Sequence, residues 1–414
     1  DQPKKVAISI NADARNNAEK IIPVSGGTTE IALAPNGKEI AFVFRGEVFV
    51  TGVEGGITKR ITNTPQQERM VSWSPDSKKI IYAAERNNNW DIYQTSMARS
   101  EEPYFYASTL LKEEALIATP EEEFSAKFSP DGKQIGYIAE RNLLKVYTIA
   151  DKKTITLLPA GKNYSYSDGD WGFQWSPNSK WIITDDQEGS WQYGNLALIK
   201  ADGTGGIEKP IRSGFGQANI KWGMNGKNIT WVNERLGRKS IAFQGSREVD
   251  IYAGFLDQDS YDRMRLNKED FALLKEKEEK DKKADTTKGK KDSLANVNFT
   301  PNLKGFEDRV LRLTINSSSI ADYYMSADGS KVYYLSSFEK GFDLWVTEPR
   351  TRETKILAKL GGSPGKIEPG KDGKTLFLVN NSSIIKVETE SGKVSPVGIN
   401  GEMVLNAPAE REYI

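Results

Sequence analysis

The stretch FSAKFSPDGKQIGYIA, residues 124–139, contains the pattern that decides the fold, which is two apolar runs joined by a Ser-Pro-Asp-Gly-Lys turn. Proline followed by Asp-Gly or Asn-Gly is the turn chemistry of a β-hairpin. Related turns recur at six further places, residues 34–38, 74–78, 176–180, 223–227, 326–331 and 370–374. Seven turns between apolar runs predict seven hairpins.

The spacing of the turns and the apolar runs that follow them indicate that each hairpin is part of a larger unit. Pro35 and Pro75 are about 40 residues apart, which is a typical blade length of a β-propeller. A third and a fourth run follow the hairpins, as at Trp90–Tyr93 and Thr154–Leu157. Four short strands repeated radially leave only short, protected edges. The sequence therefore predicts an all-β fold, a seven-bladed β-propeller of four-stranded antiparallel blades.

This propeller is expected to be a single domain over residues 1–414, with blades from about residue 20 to about residue 407. Residues 1–22 are interpreted as a lead-in strand and linker. A ring of blades needs a closing contact between its two ends. The runs Lys5–Ser9 and Glu402–Leu405 are the candidates to supply a missing edge strand of the last blade.

Composition excludes several functional classes. The chain has 57 basic and 57 acidic residues, so no overall positive field attracts a phosphate backbone, and nucleic acid is not an expected partner. No apolar run approaches the roughly 20 residues that a membrane-spanning helix needs. A membrane span is therefore not expected.

The sequence contains neither histidine nor cysteine. A Ser-His-Asp triad, a Cys-His pair and a histidine-ligated zinc site cannot be assembled from this chain, so we expect no catalytic residue, no metal and no cofactor. Carboxylate chemistry stays open as an alternative. Asp185 with Asp186, or Asp168 with Asp170, could form the acid pair of a glycoside hydrolase.

The blade pattern stops at residues 256–298, and we place this insertion between blades five and six. Its first part has apolar spacing for one or two short helices, with Asn267 as a helix cap. From Lys275 to Lys291 the charges alternate, which is typical of a frayed helix that runs into a solvated, mobile loop. A docking arm for another domain is the alternative.

Aromatic residues are concentrated in two loops around the fourth turn. Rigid rings contribute contact area at low entropic cost, so these loops form a candidate peptide-binding surface. Packing between blades is the competing interpretation of the same side chains. The candidate substrate-binding residues are Tyr164, Tyr166, Asp168, Asp170, Trp171 and Trp191.

Several motifs together resemble a known family. The Ser-Pro-Asp-Gly-Lys turns followed by Glu-Arg-Asn and by Trp-Asp-Ile-Tyr resemble TolB-like and tricorn-like propeller blades. Five longer segments are similar to the second propeller of bacterial tricorn-like serine proteases, and the similarity spans nearly the whole chain. These segments are residues 47–50, 58–64, 102–108, 164–170 and 305–310.

The resemblance implies a non-catalytic propeller that binds, filters or routes peptide substrates and packs on a protease core. The implied parent has an upstream propeller, a PDZ-like module and a catalytic region with a serine nucleophile, and it could form a homo-oligomer. Residues 408–414 resemble the start of a linker to that region. The family also favours an exported or periplasmic location over a cytoplasmic one.

A second hypothesis is an autonomous TolB-like propeller that binds partner proteins at its rim and serves no protease. The two hypotheses differ in the reading frame beyond Ile414. A helical and then protease-like region is expected there under the first hypothesis and not under the second.

Overall fold

The computed structural model describes residue 6 and residues 17–163, 165, 167, 169–187, 194–239, 247–284, 300–338 and 340–413. Its strands form seven sheets arranged as the blades of a propeller, which confirms the predicted fold. Six blades have four strands each, and the first is extended to six.

Every blade is built from four strands that are consecutive in the sequence. Blade one contains β2 (Thr28–Leu33), β3 (Glu39–Phe44), β4 (Glu47–Gly52) and β5 (Gly56–Arg60). Blade two contains β6 (Glu68–Trp73), β7 (Lys79–Arg86), β8 (Asn89–Met97) and β9 (Leu111–Ile117). Blade three contains β10 (Glu123–Phe128), β11 (Gln134–Ala139), β12 (Leu143–Thr148) and β13 (Lys153–Leu158). Blade four contains β14 (Phe173–Trp175), β15 (Trp181–Asp186), β16 (Asn195–Lys200) and β17 (Ile207–Glu208).

The remaining blades have the same order. Blade five contains β18 (Ala218–Gly223), β19 (Asn228–Asn233), β20 (Asp250–Phe255) and β21 (Val310–Arg312). Blade six contains β22 (Ser319–Met325), β23 (Val332–Ser337), β24 (Phe342–Glu348) and β25 (Glu353–Gly362). Blade seven contains β26 (Ile367–Pro369), β27 (Thr375–Asn380), β28 (Ser383–Glu388) and β29 (Val394–Pro396). Two further strands are β1 (Glu19–Val24) and β30 (Ile399–Asn406), and the helices are α1 (Gln258–Arg265), α2 (Lys268–Ala284) and α3 (Ala407–Tyr413).

The motif turns connect the first strand of each blade to the second. In blade three the N–H of Gly132 donates to the carbonyl of Ser129 over 2.8 Å, and Gly132 has a φ of +72°. Glycine adopts this left-handed conformation without the steric cost that a side chain brings. The Asp131 carboxylate accepts from the Ser129 hydroxyl at 2.6 Å and from the N–H of Lys133 at 3.1 Å. The repeated turn residues therefore satisfy each other's hydrogen bonds.

The core lies between neighbouring blades. Large side chains from the second strands, such as Tyr82, Tyr137 and Tyr334, are almost fully buried. Blades one and seven share a cluster in which Phe377 and Ile384 pack with Ile40, Phe42 and Phe49. This shared cluster closes the ring.

The closure differs from the prediction in one respect. Blade seven already has four strands, so it has no missing edge. Instead β30 pairs in parallel with the outer strand β5 of blade one, and β1 pairs antiparallel with β30. The run Glu402–Leu405 is therefore a strand, but it extends blade one. The run Lys5–Ser9 lies outside the described residues.

The insertion is helical, and its predicted position between blades five and six is wrong. It lies inside blade five, between β20 and β21. The position inside blade five could not be predicted from the sequence, because β21 has only three residues and therefore shows little alternation of apolar and polar residues. The charged stretch forms helix α2 as far as Ala284, and residues 285–299 lie outside the described part of the chain.

Arg350 of blade six holds the insertion in place. Its guanidinium donates to the carbonyls of Arg263, Met264 and Leu266 at the end of α1, at 3.0, 3.2 and 2.7 Å. It also lies 3.7 Å from the ring centroid of Phe271 in α2. Among the described helices, none is long and apolar enough to cross a bilayer.

Candidate functional site

The first strands of the blades surround a central channel. Two cavities of about 1160 and 810 Å³ occupy it. The larger cavity borders the first strands of blades one, two and three, and the smaller one borders those of blades four, five and six. Lys127 of blade three and Lys366 and Glu368 of blade seven line both cavities. These side chains therefore lie where the two cavities meet.

The channel lining repeats from blade to blade. The residue two positions before each motif turn lines a cavity, and together these seven residues form what we call the turn-side ring. The turn-side ring consists of Ala32, Ser72, Lys127, Gln174, Lys221, Tyr324 and Glu368. The residue four positions before each turn also lines a cavity, and these form the loop-side ring. The loop-side ring consists of Glu30, Met70, Ser125, Gly172, Asn219, Asp322 and Lys366.

Some charges of these rings tie neighbouring blades together. The Glu30 carboxylate accepts from the N–H of Met70 in the next blade at 2.6 Å. Asp322 accepts from the N–H of Ile367 at 2.8 Å and from the Asn219 side chain at 2.9 Å, and it forms an ion pair with Lys221. These groups have structural roles and are partly neutralised.

The charged groups at the junction of the cavities have pKa values that are shifted toward their neutral forms. Burial within the channel, reinforced by the nearby cation of Lys366, lowers the pKa of Lys127 to about 8. Burial also raises the pKa of Glu368 to about 7, with the Asp322 carboxylate acting in the same direction and Lys221 opposing it. Both side chains are accessible to channel water but surrounded by protein, so each charge gains from an added polar partner.

The backbone of the loop-side ring is irregular. Five of the first strands carry a register shift against the second strand near this ring. At Met70, Ser125 and Asn219 the φ angles are +59°, +53° and +48°, in the left-handed region that side chains disfavour. Bulges of this kind re-aim side chains next to binding sites. Here they lie at the channel wall.

Two of the six predicted site residues are described. The Asp170 carboxylate is exposed and accepts from the Ser165 hydroxyl at 2.5 Å and from the N–H of Ser167 at 3.0 Å. Trp171 is buried in the core, with 5% of its surface exposed, and its indole N–H donates to the Thr184 hydroxyl at 3.0 Å. It still borders both cavities. Tyr164, Tyr166, Asp168 and Trp191 lie outside the described residues.

The acid pair considered for glycoside hydrolysis does not form at Asp185 and Asp186. Neighbouring residues of a strand point to opposite faces. Asp186 is fully buried and lies 3.0 Å from the ammonium of Lys209, whereas Asp185 borders the smaller cavity. The pair of Asp168 and Asp170 lies partly outside the described residues. Within the described part of the chain, no group of three or more acidic side chains could hold a metal ion.

The two rings are the feature of the channel that the sequence did not predict. Their members share no residue type, so neither a motif nor a composition shift marks them. Counting backward from each motif turn would have found them, because positions two and four before the turn line a cavity in every blade.

Comparison with solved structures places this fold among known propellers. The tricorn protease structure matches 96% of this chain over 36% of its own length, with 13% identity and a TM-score of 0.66. Oligogalacturonate lyase from Vibrio parahaemolyticus matches over 93% of this chain and 97% of its own, with 11% identity and a TM-score of 0.56. TolB from Acinetobacter baumannii matches over 89% and 65%, with 14% identity and a TM-score of 0.40.

Neither protein-family profiles nor curated proteins give a match to the sequence. The chain spans about a third of the length of the tricorn protease chain that it matches. At these identities the likeness concerns the fold. The chain is a seven-bladed β-propeller whose fold is similar to part of the tricorn protease chain.

Proposed function

We propose that this chain is a non-catalytic propeller of a tricorn-like serine protease and that it binds peptide substrates in its central channel. Peptides would enter through the aromatic loops near Asp170 and pass the two rings on their way to a catalytic region. The observation that carries this proposal is the junction of Lys127, Lys366 and Glu368, where charges of both signs line the central channel.

The chemistry of the lining suits extended peptides of varied sequence. A peptide backbone offers N–H donors and carbonyl acceptors along its whole length. Charged and amide side chains at two levels of the channel can satisfy both kinds of group, whereas an apolar channel would leave them unpaired. The absence of histidine and cysteine from the sequence agrees with a role in binding and not in cleavage.

The test is the affinity of the purified chain for short unstructured peptides, measured by fluorescence anisotropy with and without a blocked channel. Ser72→Trp places a large ring at a small member of the turn-side ring, and it is expected to weaken peptide binding at least tenfold. Lys355→Trp is the matched control, since Lys355 is exposed on the outermost strand of blade six.

Mass spectrometry of the same mixtures should show intact peptide. Equal peptide affinity of Ser72→Trp and Lys355→Trp, with both variants folded, would exclude the channel as the site. Binding of folded partner proteins at the rim, with no peptide binding in the channel, would favour the autonomous interaction propeller.

A further inference from the structure

Asp185 and Gln187 line the smaller cavity, and the side chain of Asn163 lies next to Asp185. Asp185 lies near the end of the second strand of blade four, and Gln187 comes just after that strand. Asn163 lies in the loop that leads into the same blade. The amide of Asn163 donates to the carbonyl of Asp185 at 3.1 Å, and the amide of Gln187 donates to its carboxylate at 3.2 Å. We call these three residues the acceptor recess.

The amide oxygens of the acceptor recess have no donor among the described residues. Since each amide nitrogen is committed to Asp185, its oxygen must face away from that bond. Asn163 is 6% exposed, and its Oδ1 is buried without a hydrogen-bond partner in the described part of the chain. The Oε1 atom of Gln187 is likewise buried and has no hydrogen-bond partner in the described part of the chain. Leaving a buried polar atom without a hydrogen bond is unfavourable, so these oxygens favour an incoming donor.

The Asp185 carboxylate has no lysine or arginine partner within the described ranges of the chain. Burial raises its pKa above the ordinary value of 3.8, and the groups that oppose this shift are hydrogen-bond donors, among them Gln187, Trp171 and Asn163. The neighbouring Asp186, by contrast, has the ammonium of Lys209 at 3.0 Å. Asp185 is only half-buried, but a carboxylate that is largely surrounded by protein is normally paired with a positive charge.

The space beside this carboxylate depends on a glycine. A methyl group built at residue 194 would lie 2.7 Å from the Oδ2 atom of Asp185, which is closer than any real contact of that kind. Gly194 therefore leaves the carboxylate its present position at the cavity wall.

We propose that the acceptor recess binds a primary ammonium group of a peptide, either its N-terminus or a lysine side chain. An ammonium has three N–H donors, and the Asp185 carboxylate would accept from it at the cavity wall. The two unpaired amide oxygens belong to the residues that hydrogen-bond to Asp185, so they are the further acceptors nearest in the chain of contacts. A charge-assisted hydrogen bond to a carboxylate is also the stronger kind. This inference rests on the proposed function, because it names the group by which a peptide is held at the channel mouth.

The experiment measures affinities for four versions of one short unstructured peptide. The first two lack lysine and have a free or an acetylated N-terminus. The other two are acetylated and contain one internal lysine or norleucine. Removing the ammonium that binds is expected to weaken binding about tenfold. The first pair reports on the N-terminus and the second on the lysine side chain.

Two variants and one control assign the effect to the recess. Asp185→Asn and Gln187→Ala are expected to remove the difference between charged and uncharged peptides. Asp202→Asn makes the same chemical change in an exposed turn of blade four, where Asp202 accepts from Thr204 at 2.9 Å, and it should keep the difference. Thermal melting of each variant verifies that it is folded, and Gln187→Ala keeps the test valid if Asp185→Asn does not fold.

The outcomes separate this inference from the proposed function. Peptide affinity that does not change with acetylation, with replacement of lysine by norleucine or with Asp185→Asn would overturn the inference. The proposed binding of peptides in the channel would still stand. Loss of all peptide binding by the unmodified chain would overturn both. A melting temperature that rises with calcium or sodium ions in the unmodified chain but not in Asp185→Asn would assign the recess to a metal ion and overturn the ammonium.

Discussion

Individual side chains of the motif turns connect one blade to the next. Ser77 and Ser179 occupy the turn position that glycine holds in blades one and three, and their φ angles are +59° and +61°. The Ser77 hydroxyl accepts from the N–H of Asn36 at 2.9 Å, and the Ser179 hydroxyl accepts from the N–H of Asp131 at 3.0 Å. Each serine therefore has a strained backbone conformation, and the hydrogen bond that it accepts from the neighbouring blade offsets this strain.

Two substitutions of Ser77 separate these effects. Ser77→Ala loses the acceptor and keeps the left-handed strain, so it should lower the free energy of unfolding by about 1 kcal/mol. Ser77→Gly loses the same acceptor but relieves a strain of about 1 kcal/mol, and it should be nearly neutral. Denaturant unfolding measures both, with the corresponding changes at Ser179 as an internal repeat. Equal decreases in the free energy of unfolding for Ser77→Ala and Ser77→Gly would show that the backbone strain at residue 77 does not affect stability.

The pKa of Glu368 predicts a pH dependence of stability. Its carboxyl group is protonated more readily in the folded protein, with a pKa of about 7 against an ordinary value of 4.5. The stability that it contributes is therefore fully present below pH 4.5 and is lost as the pH rises to 7. Glu368→Gln cannot ionise, so the stability of the unmodified protein relative to this variant should fall across that range.

Melting temperatures of both proteins between pH 4.5 and 8 provide the measurement. Glu353→Gln, in an exposed position of blade six, controls for the general effect of removing a carboxylate. A difference between the unmodified protein and Glu368→Gln that stays constant with pH would contradict the burial of this group in the channel.

At the level of single elements, helices α1 and α2 of the insertion are connected to blade six by side-chain contacts. The Phe271 ring lies under the guanidinium of Arg350, and Glu278 of α2 forms an ion pair with Arg263 of α1. Arg350 meanwhile caps the carbonyls at the end of α1. Arg350 therefore contacts both helices, and Met264 of α1 also packs into the core.

Arg350→Ala should release the helices without unfolding the propeller. Amide hydrogen exchange in α1 and α2 is expected to speed up at least tenfold, while exchange in the blade strands and the melting temperature change little. Arg352→Ala is the matched control, because Arg352 is exposed in the same turn. Unchanged exchange in both helices after Arg350→Ala would mean that other contacts hold the insertion.

The elements differ in how well the sequence predicts them. The seven hairpins were predictable because turn chemistry is local and strict, and Gly132 with Asp131 shows why. The fourth strand of blade five was not predictable, since Val310–Arg312 forms a strand only by pairing with β20 across the insertion. Packing of Trp171 in the core likewise depends on Thr184, which only the fold brings near.

The whole molecule depends on contacts between the two ends of the chain. The cluster of blades one and seven, with β30 added to blade one, joins residues that are far apart in sequence. Blade number could be predicted from a repeat count, but the place of β30 could not, because a strand run does not specify its neighbour. The channel and its two rings exist only once all seven first strands face each other.

Photo-crosslinking with a peptide that carries a photoreactive side chain would reveal whether peptides occupy this channel, as we propose. Mass spectrometry of the digested product should find the label on first strands, at members of the turn-side and loop-side rings such as Ser72, Lys127 and Asn219. Excess unlabelled peptide should suppress it. Specific, competed labelling confined to the outer strands of the blades would show that peptides bind on the outside of the propeller and not in the channel.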